Sequence, residues 1–184
     1  MNTPIQSVLD VPAKVGVLLY DTTVEVDTIL AETVERLGDH RLTVGGLLQR
    51  FGERLPNGKR TMLVDDIATG RTIRLDQPRG PGAIACMLDP DALAEAACLL
   101  RRTVEAQPDV IVVSRFGNAE ADGGGMRAEI ADAICSGAVV LIAVRFSLLS
   151  DLEGFLGGPA TVLLPSAKAI ADWVDHAASV HLTV

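Results

Sequence analysis

Val15-Gly16-Val17-Leu18-Leu19-Tyr20-Asp21-Thr22-Thr23-Val24-Glu25-Val26 is the stretch on which the fold turns. Its first six residues form a short apolar run, which reads as a buried strand. Thr22 and Glu25 then have the spacing of a helix-capping box. Val26, Leu30, Val34 and Leu37 follow at helical intervals, and Gly38 marks the expected helix end. A strand that passes through a tight turn directly into a helix is the opening unit of a parallel sheet.

Working outward, the middle of the chain changes character. Val44 to Gln49, Arg60 to Ile67 and Arg71 to Asp76 read as strands, the last two joined through Ala68-Thr69-Gly70. So short a link predicts an antiparallel hairpin. Gln77 to Ala83 holds two prolines and two glycines and reads as irregular backbone. The parallel pattern then resumes. Asp89 is the expected cap of a helix with Pro90 at its first position and Leu93, Ala97, Leu100 and Val104 on one face. Asp109 to Ser114 and Val139 to Val144 read as central strands, with a helix through Met126, Ile130, Ala133 and Ile134 between them. Ser147 opens a short helix toward Phe155, Thr161 to Leu164 is a last strand, and Ser166 caps a helix carrying Ile170 and Trp173. The expected class is α/β: three layers, a mostly parallel sheet with helices on both faces and an antiparallel hairpin in the middle section. Residues 1–12 carry no periodicity and read as a flexible tail, leaving residues 13–184 as a single domain.

Composition agrees with that class. Of 184 residues 48% are hydrophobic but only 3% aromatic, so Val, Leu, Ile and Ala must fill the core. A formal net charge of -8 makes nucleic acid and anionic membranes unfavoured partners, and any anion site must work against the global field. Without an apolar run of about twenty residues or a leader-like start, the expectation is a cytoplasmic protein. Cys86, Cys98 and Cys135 fit no metal spacing; Cys98 and Cys135 read as small buried hydrophobes. Cys86 precedes a helix start and reads either as a packed residue or as a thiol of lowered pKa. His40, His176 and His181 are dispersed and read as surface positions, so no metal ligands are assigned.

Ligands of open parallel sheets bind beyond the carboxyl ends of the strands. Arg50, Arg115 and Arg145 fall at such ends and Arg79 lies in the Pro/Gly loop. Guanidinium forks converging there would hold a phosphate-like oxyanion, helped by Thr22 and Thr23 at the helix start. The plainer reading pairs these arginines with nearby carboxylates such as Glu120 and Asp122. Ordinary nucleotide hydrolysis is disfavoured by the first turn. A phosphate loop needs glycines, a lysine and a Ser or Thr for magnesium, whereas Tyr20 to Val26 has neither glycine nor lysine. The three lysines, Lys14, Lys59 and Lys168, all lie elsewhere.

The run Ser114-Arg115-Phe116-Gly117-Asn118-Ala119-Glu120, with Gly123, Gly124, Gly125 and Arg127, resembles the signature of the bacterial family called domain of unknown function 2478. The family pattern is Asn-Arg-Phe-Gly, then Glu, then a glycine-rich turn; Ser114 departs from it. Gly45 to Arg50, Asp66 to Gly70 and Cys86 to Pro90 are further matches, and the resemblance extends from about Val15 to Trp173. The family is similar in turn to small P-loop nucleoside triphosphatases, whose central strand ends in Asp-Glu-Ile-Gly followed by a Glu. On that alignment Ser114 and Arg115 stand in place of the acidic pair, while Gly117 and Glu120 match. The resemblance therefore implies a P-loop-like scaffold with a degenerate phosphate loop, and a link to molybdate or tungstate transport.

Three functions are expected from these features. The first is non-hydrolytic binding of an oxyanion (molybdate, tungstate or phosphate) or a phosphorylated small molecule. Arg115, Arg127 and Arg145 would supply charge, and Gly117 and Gly123 to Gly125 would let the ligand approach the backbone. The second is a nucleotide-dependent phosphatase or transferase with Glu120 as base, and the third an assembly or regulatory module with a vestigial pocket. No cofactor beyond such an anion or nucleotide is implied, and a homodimer is compatible with all three.

Overall fold

The computed structural model describes residues 14–56, 58–77 and 88–179. The expected tail, Arg79, Cys86 and His181 lie outside them. Strand β1 (Val15–Tyr20) leads into helix α1 (Val26–Asp39), and β2 (Val44–Arg54), β3 (Arg60–Asp66) and β4 (Thr72–Arg74) follow. Then come α2 (Pro90–Glu105), β5 (Val110–Phe116), the single turn α3 (Asn118–Ala121), α4 (Arg127–Cys135) and β6 (Val139–Arg145). A 3-10 turn over Phe146–Leu148 joins β6 to α5 (Leu149–Leu156), and β7 (Thr161–Val162) and α6 (Ala167–Ser179) complete the order.

The strands form one sheet in the order β4-β3-β2-β5-β6-β1-β7. Pairing from β2 through β5, β6 and β1 to β7 is parallel. β3 and β4 run antiparallel. The hairpin through Ala68-Thr69-Gly70 is present, and β2 and β3 form a second one that the sequence reading did not assign. Helices cover both faces. Ala96, Leu100, Ile130, Ala133 and Leu152 of α2, α4 and α5 pack on one side with Ile111, Val113 and Ile142. Leu30, Leu37, Ile170 and Val174 of α1 and α6 pack on the other with Val110, Val112 and Leu141. Each fully buried Leu or Ile contributes about 1.5–3 kcal/mol, which is what fixes the two helical layers on the sheet.

Local chemistry explains several boundaries. Asp89 caps α2 by accepting the Asp91 N–H at 2.9 Å, with Pro90 in the first turn. Thr22 does not cap α1. The Asp21 carboxylate instead accepts both the amide and the hydroxyl of Thr23, closing a turn that delays the helix to Val26. At the other end of the sheet, Asp109 accepts the Thr43 amide at 2.7 Å and its hydroxyl at 2.6 Å. The Thr43 hydroxyl oxygen accepts the Asp109 N–H at 2.9 Å. That reciprocal clamp sets β2 and β5 in register where they begin. Gly46 has φ +114° and a Cβ there would lie 2.1 Å from the Val112 carbonyl oxygen, so only glycine lets β2 approach β5 this closely.

The α2 face is rotated from the expected stripe: Ala96, Leu99, Leu100 and Thr103 are the buried positions. Cys98 and Cys135 are exposed rather than buried, because they sit off the faces that meet the sheet. No described helix is long and apolar enough to cross a membrane.

Candidate functional site

A cleft of about 1070 Å³ opens at the carboxyl ends of the parallel strands. The register brings those ends level, Tyr20 beside Arg145 and Phe116 beside Val144. One end of the cleft is polar, lined by Tyr20, Thr22, Arg115, Gly117, Glu120 and Arg145. The rest of its wall is largely apolar, with Leu47, Met62, Val64, Val113, Met126 and Phe146 among the lining side chains. Phe146 is 71% exposed at this cleft, an unusual setting for a large ring.

The arginines expected to converge are mostly turned to partners inside the protein. Arg115 donates from Nη2 to Asp27 Oδ1 at 2.6 Å and from Nη1 to the Ser114 carbonyl at 2.8 Å. Its guanidinium lies 4.4 Å from the centre of the Tyr20 ring. Arg127 sits 4.5 Å over the Phe155 ring and donates to the Glu120 carbonyl oxygen at 2.8 Å; it does not line the cleft. Arg50 pairs with Asp65 in a shallow hollow beside Val34, Leu48 and Ile67. Arg145 is different. It lines the cleft, is exposed, and has no ion-pair or hydrogen-bond partner among the described residues.

Glu120 is also committed. Its side chain is buried, Oε2 accepts the Gly117 N–H and Oε1 accepts the Met126 N–H, both at 2.9 Å. The carboxylate thus pins the end of β5 to the start of α4, each oxygen accepting one backbone amide. The glycine turn is likewise self-satisfied: Gly123 donates to the Glu120 carbonyl and Gly124 to the Ala119 carbonyl. Gly123, Gly124, Gly125 and Thr23 do not line the cleft, and the Gly117 amide donates to Glu120.

Charge in the cleft is set by what remains. Asp76 accepts from Arg74 at 2.9 Å and from the Met62 amide at 2.7 Å. Burial raises its pKa, but these bonds outweigh the burial and hold it below the ordinary value. At Asp27 burial wins: loss of water raises its pKa despite the Arg115 charge and hydrogen bond. Hydrogen bonds from the Thr23 hydroxyl and amide lower that of Asp21. With Asp27, Asp76 and Glu120 internally matched, Asp21, Glu25 and Arg145 are the exposed charged residues among the described residues that line the cleft.

Sequence reasoning found the rim but missed Asp27 and the apolar wall from β2 and β3. The signal for Asp27 was its place in the first turn of the helix following β1, opposite the end of the central strand. Among the described residues no group of His, Cys, Asp and Glu side chains has the arrangement of a metal site.

Comparisons place this architecture. A solved solution structure of a human cancer-related nucleoside triphosphatase superposes with a TM-score of 0.59 at 15% identity, covering 91% of this chain and 97% of that one. At that identity the likeness is one of fold, and it makes this a P-loop-nucleoside-triphosphatase-like α/β fold. The molybdenum import ATP-binding protein ModC 2 of Bradyrhizobium diazoefficiens is 35% identical over 162 residues, which is 88% of this chain but only 18% of that protein. The family model described as "Protein of unknown function (DUF2478)" matches residues 15–173, and the chain belongs to that family.

Proposed function

We propose that the protein binds a small phosphorylated molecule without hydrolysing it, the anionic group on Arg145 and the organic part along the apolar wall. The observation that carries this reading is Arg145, an exposed guanidinium with no partner among the described residues, beside a large, mainly apolar cleft. Among the described residues a bare tetrahedral oxyanion would meet one cation without a partner, Arg145, and two exposed carboxylates, Asp21 and Glu25, and would gain nothing from Leu47, Met62 or Phe146. The non-hydrolytic part rests on the first turn, which lacks a phosphate-loop lysine, and on Ser114 and Arg115 at the end of β5, which offer no acidic pair for magnesium.

Calorimetric titration of the whole chain tests this, with AMP and ADP set beside molybdate, tungstate and phosphate, and phosphate release from ATP and GTP followed in parallel. The expected result is an organic phosphate binding at least about tenfold tighter than the inorganic ions, a gain of about 1.4 kcal/mol or more. No steady release of phosphate accompanies it. Arg145→Ala should weaken that binding about ten- to a hundredfold, the worth of one charge-assisted contact. Affinity unchanged in Arg145→Ala, or sustained phosphate release, refutes the reading.

A second reading has one observation in its favour: the matching segment of the Bradyrhizobium relative lies within a protein named for molybdenum import. On that reading molybdate or tungstate is the ligand, and it displaces the first if either binds more tightly than both nucleotides.

A further inference from the structure

We propose that Arg115 is a second anion position in the cleft, occupied at rest by the Asp27 carboxylate, and that a ligand carrying a second anionic group takes Asp27's place. The inference deepens the reading above and rests on it for the organic part of the ligand. It narrows the ligand class to molecules with two anionic groups, such as a diphosphate.

The geometry of Arg115 points this way. Three contacts hold its guanidinium, and only one of them is Asp27. The stack on Tyr20 at 4.4 Å and the bond to its own Ser114 carbonyl do not involve Asp27. The cation is therefore fixed at the cleft wall by residues of β1 and β5, while its counterion comes from the first turn of α1. Arg115 and Asp27 are only 17% and 22% exposed, so neither charge is tolerated alone, and an incoming anion must replace the carboxylate rather than add to it. Arg145 lies across Tyr20 on the neighbouring strand β6, level with the end of β1. Both arginines thus line one cleft, Arg115 stacked on Tyr20 and Arg145 paired in register with it along the backbone.

Asp27 is poorly suited to be a permanent partner. Burial raises its pKa against the pull of Arg115, and Glu25 adds to the rise. Tyr20 stacks on Arg115 and the Glu25 charge acts on Asp27, while Arg145, Asp21, Asp76 and Glu120 line the same cleft. Acidification that neutralises Asp27 releases Arg115, and the ordinary Asp value of 3.8 is the lower bound of the window in which this occurs.

Sulfate is the probe, because it keeps two charges across the range and needs no organic part. Its affinity is measured by calorimetry for the wild type, Asp27→Asn, Arg115→Ala and the double variant, with circular dichroism to check folding. Asp27→Asn should bind sulfate about tenfold or more tighter, as expected when a competing state that occupies nine molecules in ten is removed. The double variant should fall back to the wild-type level. Wild-type affinity should also rise as the pH is lowered from neutral toward the ordinary Asp value of 3.8. That rise should be lost in Asp27→Asn and in Arg115→Ala, which separates Asp27 from Asp21 and Glu25. Equal sulfate affinity in wild type and folded Asp27→Asn overturns the proposal. If Asp27→Asn does not fold, a wild-type pH profile that is flat, or one unchanged in Arg115→Ala, overturns it. Tighter sulfate binding in Asp27→Asn with no binding of AMP or ADP by any variant would leave the second anion position standing and refute the organic phosphate.

Discussion

Replacing Glu120 with Gln separates a brace from a catalytic base. The carboxylate accepts two backbone amides across the loop between β5 and α4, each at 2.9 Å, from a side chain only 5% exposed. Glutamine keeps one oxygen, so one amide still finds a neutral acceptor, while the other faces an NH2 group that cannot accept. One charge-assisted bond is lost and the second is weakened, together about 2–4 kcal/mol. For a chain of this size that lowers the melting temperature by about 5–12 °C. Thermal unfolding followed by circular dichroism near neutral pH measures it directly. Gly125→Ala is the companion variant. Gly125 has φ +59°, and an added Cβ would lie 2.1 Å from Glu120 Oε1, so the same brace is disturbed without replacing its carboxylate. A melting temperature within about 1 °C of wild type for Glu120→Gln would show that the brace carries no load of that size. If phosphate release from ATP were present in the wild type and lost in such a variant, Glu120 would be a base after all.

Two further outcomes follow from the same structure. Gly46→Ala should prevent β2 from closing on β5, because the new Cβ meets the Val112 backbone at 2.1 Å where neither strand has room to shift. A loss of more than about 3 kcal/mol in urea unfolding, or recovery only in inclusion bodies, is expected, and near-wild-type stability would contradict the strand spacing. Acid should also destabilise the protein. The Thr43 bonds lower the pKa of Asp109, and at Asp65 and Asp76 hydrogen bonds, chiefly from Arg50 and Arg74, outweigh the raising effect of burial. Groups held below the ordinary Asp value of 3.8 contribute stability that is complete above it and lost as the pH falls through their folded values. Asp27 acts in the opposite sense, gaining as it protonates, and is outnumbered. Unfolding free energy should therefore hold level down to about pH 5 and drop below about 4, with a shallower drop in Asp109→Asn.

What the sequence reveals here is local, and what it hides is remote. The run from Val15 to Val26 and the pair Asp89-Pro90 carry their own strand, turn and cap chemistry, so β1, the start of α1 and the start of α2 could be read directly, α1 to within a few residues. The antiparallel arm is half legible: Ala68-Thr69-Gly70 is short enough to force a hairpin, whereas the β2–β3 connection is hidden because the apolar pattern fades after Gln49 while the strand runs on to Arg54. The site was legible only in outline. Sheet topology told where arginines would gather, but their partners are set by tertiary distance: Asp27 is 88 positions from Arg115. Arg50 and Arg145 both end parallel-strand segments by sequence, yet one lies against Asp65 outside the cleft and the other lines it with no partner among the described residues. Nothing in a linear pattern distinguishes those outcomes, because each depends on which face of the sheet the side chain takes. The exposed cysteines have the same origin, a helical stripe misjudged by about one position.

The close contact between Gly16 and the ring of Trp173, where an added Cβ would meet indole carbons at 2.7 Å and 2.9 Å, has an optical consequence. Trp173 is the only tryptophan in the chain. Its emission is therefore a clean reporter of whether α6 remains seated on β1, at the opposite end of that strand from Tyr20, roughly 13 Å away along the backbone. Fluorescence will follow the loss of the scaffold faithfully and stay nearly silent while a ligand comes and goes at the far rim.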